Sequence, residues 1–147
     1  MNMTPEEYDK LAKKASPPSP FLKNVSMAFL FGGLICMLGQ VFVMIYQNAG
    51  LDKEVAATAA SVSLVFLSVL LTGLNIYDDI AKIAGAGTLV PITGFANSMA
   101  CAAMEFKSEG LILGLGAKMF IIAGPVIVYG TSASIIYGLI IYLFGLY

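Results

Sequence analysis

In a chain this apolar, any chemistry has to come from the few polar side chains that interrupt it: Gln40, Asn75, Thr93, Asn97, Ser98 and Lys118. A polar group at membrane depth is costly, so each marks either a solute path or a helix contact. Lys118 is the sharpest of them, the one charge in the stretch from Gly110 to Tyr147. It could meet an anionic solute, pair with Glu105, Glu109 or an acid of a partner subunit, or snorkel to the interface along its own aliphatic stem.

The residue types that are missing exclude much else. There is no His, Arg or Trp, and all eight basic residues are Lys. Nucleophile activation by imidazole, an imidazole metal site and bidentate phosphate recognition by guanidinium are therefore ruled out, and no basic stripe points to nucleic acid. The acids cluster at the ends of the apolar runs, which argues against an intramembrane protease or transferase. Cys36 and Cys101 stand far apart in apolar surroundings without metal-ligand spacing, and are expected to be buried small hydrophobes.

The elements that hold these residues are read from hydropathy. Of 147 residues, 59% are hydrophobic and 12% charged, with a mean hydropathy of +0.86, which makes the bilayer the solvent of this chain. The expected fold is an all-α integral membrane protein, a small polytopic bundle of four to five spans. Residues 1–24 form an N-terminal segment with a short amphipathic helix that opens at Thr4-Pro5-Glu6-Glu7 and is broken after Ser16 by Pro17, Pro18 and Pro20. This stretch is too long and polar for a signal-peptide n-region, so the first apolar run reads as a retained span. Its four Lys against three acids predict a cytoplasmic N-terminus. Residues 25–147 form the membrane domain, with spans at about 25–46, 55–77, 83–104, 110–128 and 131–147, the last two turning near Gly130-Thr131-Ser132.

The third of these is interrupted by Gly85, Gly87, Pro91 and Gly94 and carries Thr88, Thr93, Asn97 and Ser98. Backbone freed at membrane depth must be satisfied by neighbouring protein or by a water-filled cavity. The segment therefore reads as a broken or re-entrant helix of the kind that forms transporter sites, or as a kinked span. The glycines could expose backbone N–H groups to an anion or serve only close helix packing.

At this segment the chain becomes recognisable. Ala84-Gly-Ala-Gly87, then Val90-Pro-Ile-Thr-Gly-Phe-Ala-Asn-Ser-Met99, then Glu105, Lys107-Ser-Glu-Gly110 and Leu113-Gly114, closely resemble the stage V sporulation membrane proteins AC and AEB. Gly32-Gly-Leu-Ile-Cys36, Gly39-Gln40, Leu70-Leu-Thr-Gly73 and Tyr77-Asp78 extend the likeness to residues 22–145, nearer the AC branch. The resemblance implies a channel component, with mechanosensitive gating, that moves dipicolinic acid with calcium into the forming spore and out again during germination. It implies the spore inner membrane as location, and as partners an AEB-like membrane subunit and a soluble, thiolase-like AD subunit. Pro91, Gly94, Phe95, Asn97 and Ser98 carry over with the motif. Thr93, Asn97 and Ser98 are then expected to line the path, with Phe95 and Met99 as an apolar constriction that gates by dewetting. The alternative is a non-conducting scaffold. Whether a pore would lie within one chain, between copies in a homo-oligomer, or against the AEB-like partner stays open at this point.

Overall fold

The computed structural model describes residues 4–16 and 19–145, and every regular element among them is helical. Pro17 and Pro18, expected to break the first helix, lie outside the described residues, as do 146 and 147 at the end of the expected last span.

Helix α1 (Pro5–Ala15) starts where the sequence places it. The Thr4 side chain accepts from the Glu7 backbone N–H at 3.3 Å, and the Glu7 carboxylate accepts from the Thr4 N–H at 3.0 Å, closing a capping box. The Thr4 backbone N–H first, and the Thr4 side chain second, hold the Glu7 carboxyl below its ordinary pKa. Helix α2 (Phe21–Asn48) begins four residues earlier than hydropathy predicts, taking Lys23 into its first turn. Helix α3 (Lys53–Gly73) returns against it, with Gly39 close to Leu64 and the Tyr46 hydroxyl 2.6 Å from that of Ser63. The expected second span ends early, at Gly73. Asn75 then adopts a left-handed conformation (φ 59°), which Asn tolerates better than most residues, and Tyr77 falls on the next helix.

From there the backbone is cut into three pieces: α4 (Ile76–Ala84), α5 (Ala86–Leu89) and α6 (Ile92–Glu105). Gly85, with φ 54° and ψ −125°, separates the first two, and extended Pro91 opens the third. The fourteen residues of α6 reach about 21 Å, short of a hydrocarbon core of about 30 Å. A 3₁₀ turn (Lys107–Glu109) and a π-helical stretch (Leu111–Gly116) lead into α7 (Ala117–Phe144).

The expected turn at Gly130–Ser132 is absent. Helix α7 runs through it without a break, and Ser134 Oγ donates to the Gly130 carbonyl at 2.8 Å. Small residues lower helix propensity, but in lipid an opened turn would strand backbone groups with no water to take them, so the helix continues. Two expected short spans are thus one. Among the described residues three helical segments are long and apolar enough to cross a bilayer: Phe21–Asn48, Lys53–Gly73 and Leu111–Phe144. Large apolar side chains cover the outside, including Phe29, Leu30, Phe66, Phe120 and Ile121, as expected of lipid-facing surface. The buried interior is made instead of small residues, Ala56, Ala60, Ala84, Ala96, Ala102 and Ala123, which let the helices approach closely. Both cysteines are free and exposed on helix surfaces, against the expectation that they are buried. With aromatic and long aliphatic residues turned to lipid, no large core is left to enclose them.

Candidate functional site

The broken segment is held by a buried polar knot. Ser68 and Thr72, one turn apart on α3, both face α6. Ser68 Oγ donates to the Thr93 carbonyl at 2.6 Å. Thr72 Oγ1 stands 2.7 Å from the Ser68 carbonyl and 2.8 Å from Asn97 Oδ1. On α4, the Tyr77 hydroxyl lies 3.1 Å from both the Thr88 carbonyl and Thr93 Oγ1. One phenolic proton cannot serve both. The carbonyl, which can only accept, takes it, and the Thr93 hydroxyl turns its own proton to Tyr77. Thr88 Oγ1 in turn donates to the Gly85 carbonyl at 3.0 Å.

The knot is dry, with Ser68 1% and Thr88 2% exposed, and among the described residues no buried side-chain polar atom lacks a partner. The carbonyls of Thr88 and Thr93, on either side of Pro91, thus accept from side chains of α4 and α3, and that of Gly85 from Thr88 itself. The glycines of the segment allow the close packing that makes this reachable. A Cβ on Gly87 would collide with the Ala28 carbonyl and stand 2.9 Å from the Ala28 Cα, and one on Gly94 would collide with the Thr88 carbonyl and stand 2.8 Å from that of Leu89.

Beyond the knot, α6 presents two different faces. Asn97, Ser98, Cys101 and Glu105 line a cavity of about 400 Å³, closed on the other side by Lys118, Ile121 and Ile122 of α7 and by Phe106. The Lys118 ammonium lies 4.4 Å from the centre of the Phe106 ring, a cation–π contact that holds it at the cavity wall. The Ser98 hydroxyl is engaged with the Phe95 carbonyl at 2.8 Å, which leaves its lone pairs to the cavity. One cation, one carboxylate, an amide and a hydroxyl therefore share a partly apolar space. Phe95 and Met99 belong to the other face of α6, in an apolar groove of about 480 Å³ lined also by Val65, Val69, Ile92 and Met119.

The residues singled out in the sequence separate accordingly. Asn97, Ser98 and Lys118 come together at the cavity. Thr93 faces packed protein, with Gly85, Gly87, Pro91 and Gly94 shaping the break around it. Gln40 is exposed on α2 and Asn75 is the turn before α4, and neither lines the cavity. Sequence reasoning missed Ser68, Thr72 and Tyr77 in the knot and Cys101 and Phe106 at the cavity. The four-residue spacing of Ser68 and Thr72 in an apolar span was a usable signal, since it puts two hydroxyls on one helix face.

The model of the SpoVAC/SpoVAEB sporulation membrane protein family matches residues 24–140, which include every element of the knot and the cavity. The chain is 46% identical over 140 residues to Stage V sporulation protein AC of Bacillus subtilis (strain 168), covering 95% of this chain and 93% of that protein. No solved structure matches. With its helical membrane architecture and that span of likeness, the chain belongs to the SpoVAC/SpoVAEB family of sporulation membrane proteins.

Proposed function

We propose that this protein is a subunit of a membrane channel that moves dipicolinate, with calcium, into the developing spore and releases it during germination, opening under membrane tension. The observation that carries the reading is the convergence of Asn97, Ser98 and Lys118 on one cavity beside the broken helix. Lys118 supplies the positive charge for a carboxylate and the Asn97 amide N–H a hydrogen bond, while the Ser98 hydroxyl, whose proton is held by the Phe95 carbonyl, offers only its lone pairs. Glu105 on the same wall opposes a bare dianion. Calcium, which takes carboxylate oxygens as ligands, removes that opposition when it travels with the solute.

A bundle this small encloses no wide path by itself, so the pore is completed by a neighbour: an AEB-like membrane subunit, or a second copy of the chain. The Phe95 and Met99 groove is the face for that neighbour, where the two side chains form the apolar gate. The soluble AD-like subunit docks on the cytoplasmic side, where the N-terminus lies, and the complex resides in the spore inner membrane. A second reading, a non-conducting scaffold, is favoured by one observation: Thr93, in the middle of the motif, serves packing.

Cys101 lines the same cavity and provides the test, since Cys36 is the chain's one other cysteine. In a Cys36→Ser background, the Cys101 thiol should react with a water-soluble methanethiosulfonate, and calcium with dipicolinate should slow that reaction several-fold. Lys118→Gln should abolish the protection. A thiol that stays inert to the aqueous reagent, or that no dipicolinate protects, would leave the scaffold.

A further inference from the structure

Helix α1 has no place in the channel, yet it is built to stand alone. Its capping box closes the N-terminus, and Lys13 pairs with Asp9 one turn earlier at 2.7 Å. Every one of its residues is exposed. Tyr8, Leu11, Ala12 and Ala15 recur at i, i+3, i+4 and i+7, so they form one stripe, and no charge falls within it. Glu6, Asp9, Lys10 and Lys13 take the opposite side, and Glu7 and Lys14 flank the stripe on the side of Leu11. We infer that α1 lies flat on the surface of the bilayer its own chain crosses, with Tyr8 and Leu11 inserted at the headgroup boundary.

Two observations favour lipid as the occupant. The first is reach. The span α2 opens at Phe21 with Phe21, Leu22 and Lys23, six residues after α1 ends, and at about 3.5 Å per residue α1 cannot stray more than about 20 Å from the membrane. A tether of that length converts weak surface affinity into stable occupancy, because the second contact is intramolecular. The second is the make-up of the stripe. Helices that dock in protein grooves use large anchors at successive turns, whereas here two of the four positions are Ala. A Tyr, a Leu and two Ala suit shallow insertion, since Tyr has an apolar ring and a polar tip and Lys14 can snorkel from the edge. The acids and bases of α1 balance, Glu6, Glu7 and Asp9 against Lys10, Lys13 and Lys14, so contact with lipid does not require an anionic leaflet.

The absence of Trp from the chain gives a clean test. Leu11→Trp and Lys10→Trp place a single reporter on the stripe and on the opposite face, in the full-length protein reconstituted into phosphatidylcholine vesicles. The Leu11→Trp emission should be blue-shifted, quenched by lipids brominated near the headgroup, and several-fold less sensitive to aqueous iodide than that of Lys10→Trp. Two results would overturn the inference. Equal iodide quenching at both positions, without bromolipid quenching, means a helix free in water. A Leu11→Trp reporter shielded from iodide and bromolipid alike means that protein covers the stripe.

Discussion

Removing one oxygen atom from the knot should have a large effect. In Tyr77→Phe the ring keeps its packing, but the Thr88 carbonyl loses its donor and Thr93 Oγ1 loses its partner, both in a region closed to water. An orphaned buried group costs about 1–3 kcal/mol. Interhelical hydrogen bonds in membranes average nearer 0.6 kcal/mol, because a loosened chain finds other partners. Here a buried acceptor, the Thr88 carbonyl, and a buried donor, the Thr93 hydroxyl, both lose their partner, so a loss of about 2 kcal/mol is expected, about 30-fold in the unfolding equilibrium. Tyr46→Phe is the internal control. It also deletes a phenol bonded to a helix hydroxyl, but Ser63 keeps its bond to the Ala59 carbonyl and both groups are only partly buried. Reversible unfolding of the purified protein in mixed micelles, followed by far-UV circular dichroism, compares the two. If Tyr77→Phe proves no less stable than Tyr46→Phe, the knot does not hold the break together.

Two further outcomes follow from the same geometry. Gly94→Ala drives a methyl into the Thr88 and Leu89 carbonyls and should reduce folded yield sharply, whereas Gly33→Ala, where the added methyl meets nothing within 4 Å, should be neutral in the same fluorescence size-exclusion assay. The capping box predicts a pH dependence of α1: the Glu7 carboxyl is held below its ordinary pKa by hydrogen bonds from the Thr4 backbone and side chain, so its contribution is complete above the ordinary carboxylate pKa and disappears as pH falls through the lower, helix-state one. Amide exchange in the first turn, corrected for intrinsic rates, should accelerate over that acidic window and should lose this pH dependence in Glu7→Gln.

Much of this was readable from residue order. The polar turns at Asn48–Glu54 and Glu105–Gly110 bound apolar runs of membrane length, and Gly85, Gly87, Pro91 and Gly94 together announced a break, because glycine and proline at that density cannot keep a helix intact. Two features were hidden. Gly130-Thr131-Ser132 resembles a turn by composition, yet the helix persists because lipid offers no alternative partner for an opened backbone. The division of labour between Thr93 and Asn97 depends on which way α6 is rotated against α3, and the four-residue interval places both on the same side of the helix. Only the partners Ser68 and Tyr77, which engage Thr93 but not Asn97, separate a packing hydroxyl from a cavity-lining amide. Lys118 and Asn97, twenty-one positions apart in the chain, meet because α7 packs back along α6.

The most direct test of a channel that uses the Asn97, Ser98 and Lys118 cavity is dipicolinate flux with calcium from proteoliposomes, at rest and under osmotic downshock. The protein would be measured alone and with an AEB-like partner. The account predicts flux that rises under tension, at least in the two-component vesicles, and falls several-fold in Asn97→Ala and Lys118→Gln while Gln40→Ala leaves it unchanged. Flux that is insensitive to both cavity substitutions, or absent from every combination in vesicles shown to hold folded protein, would contradict it.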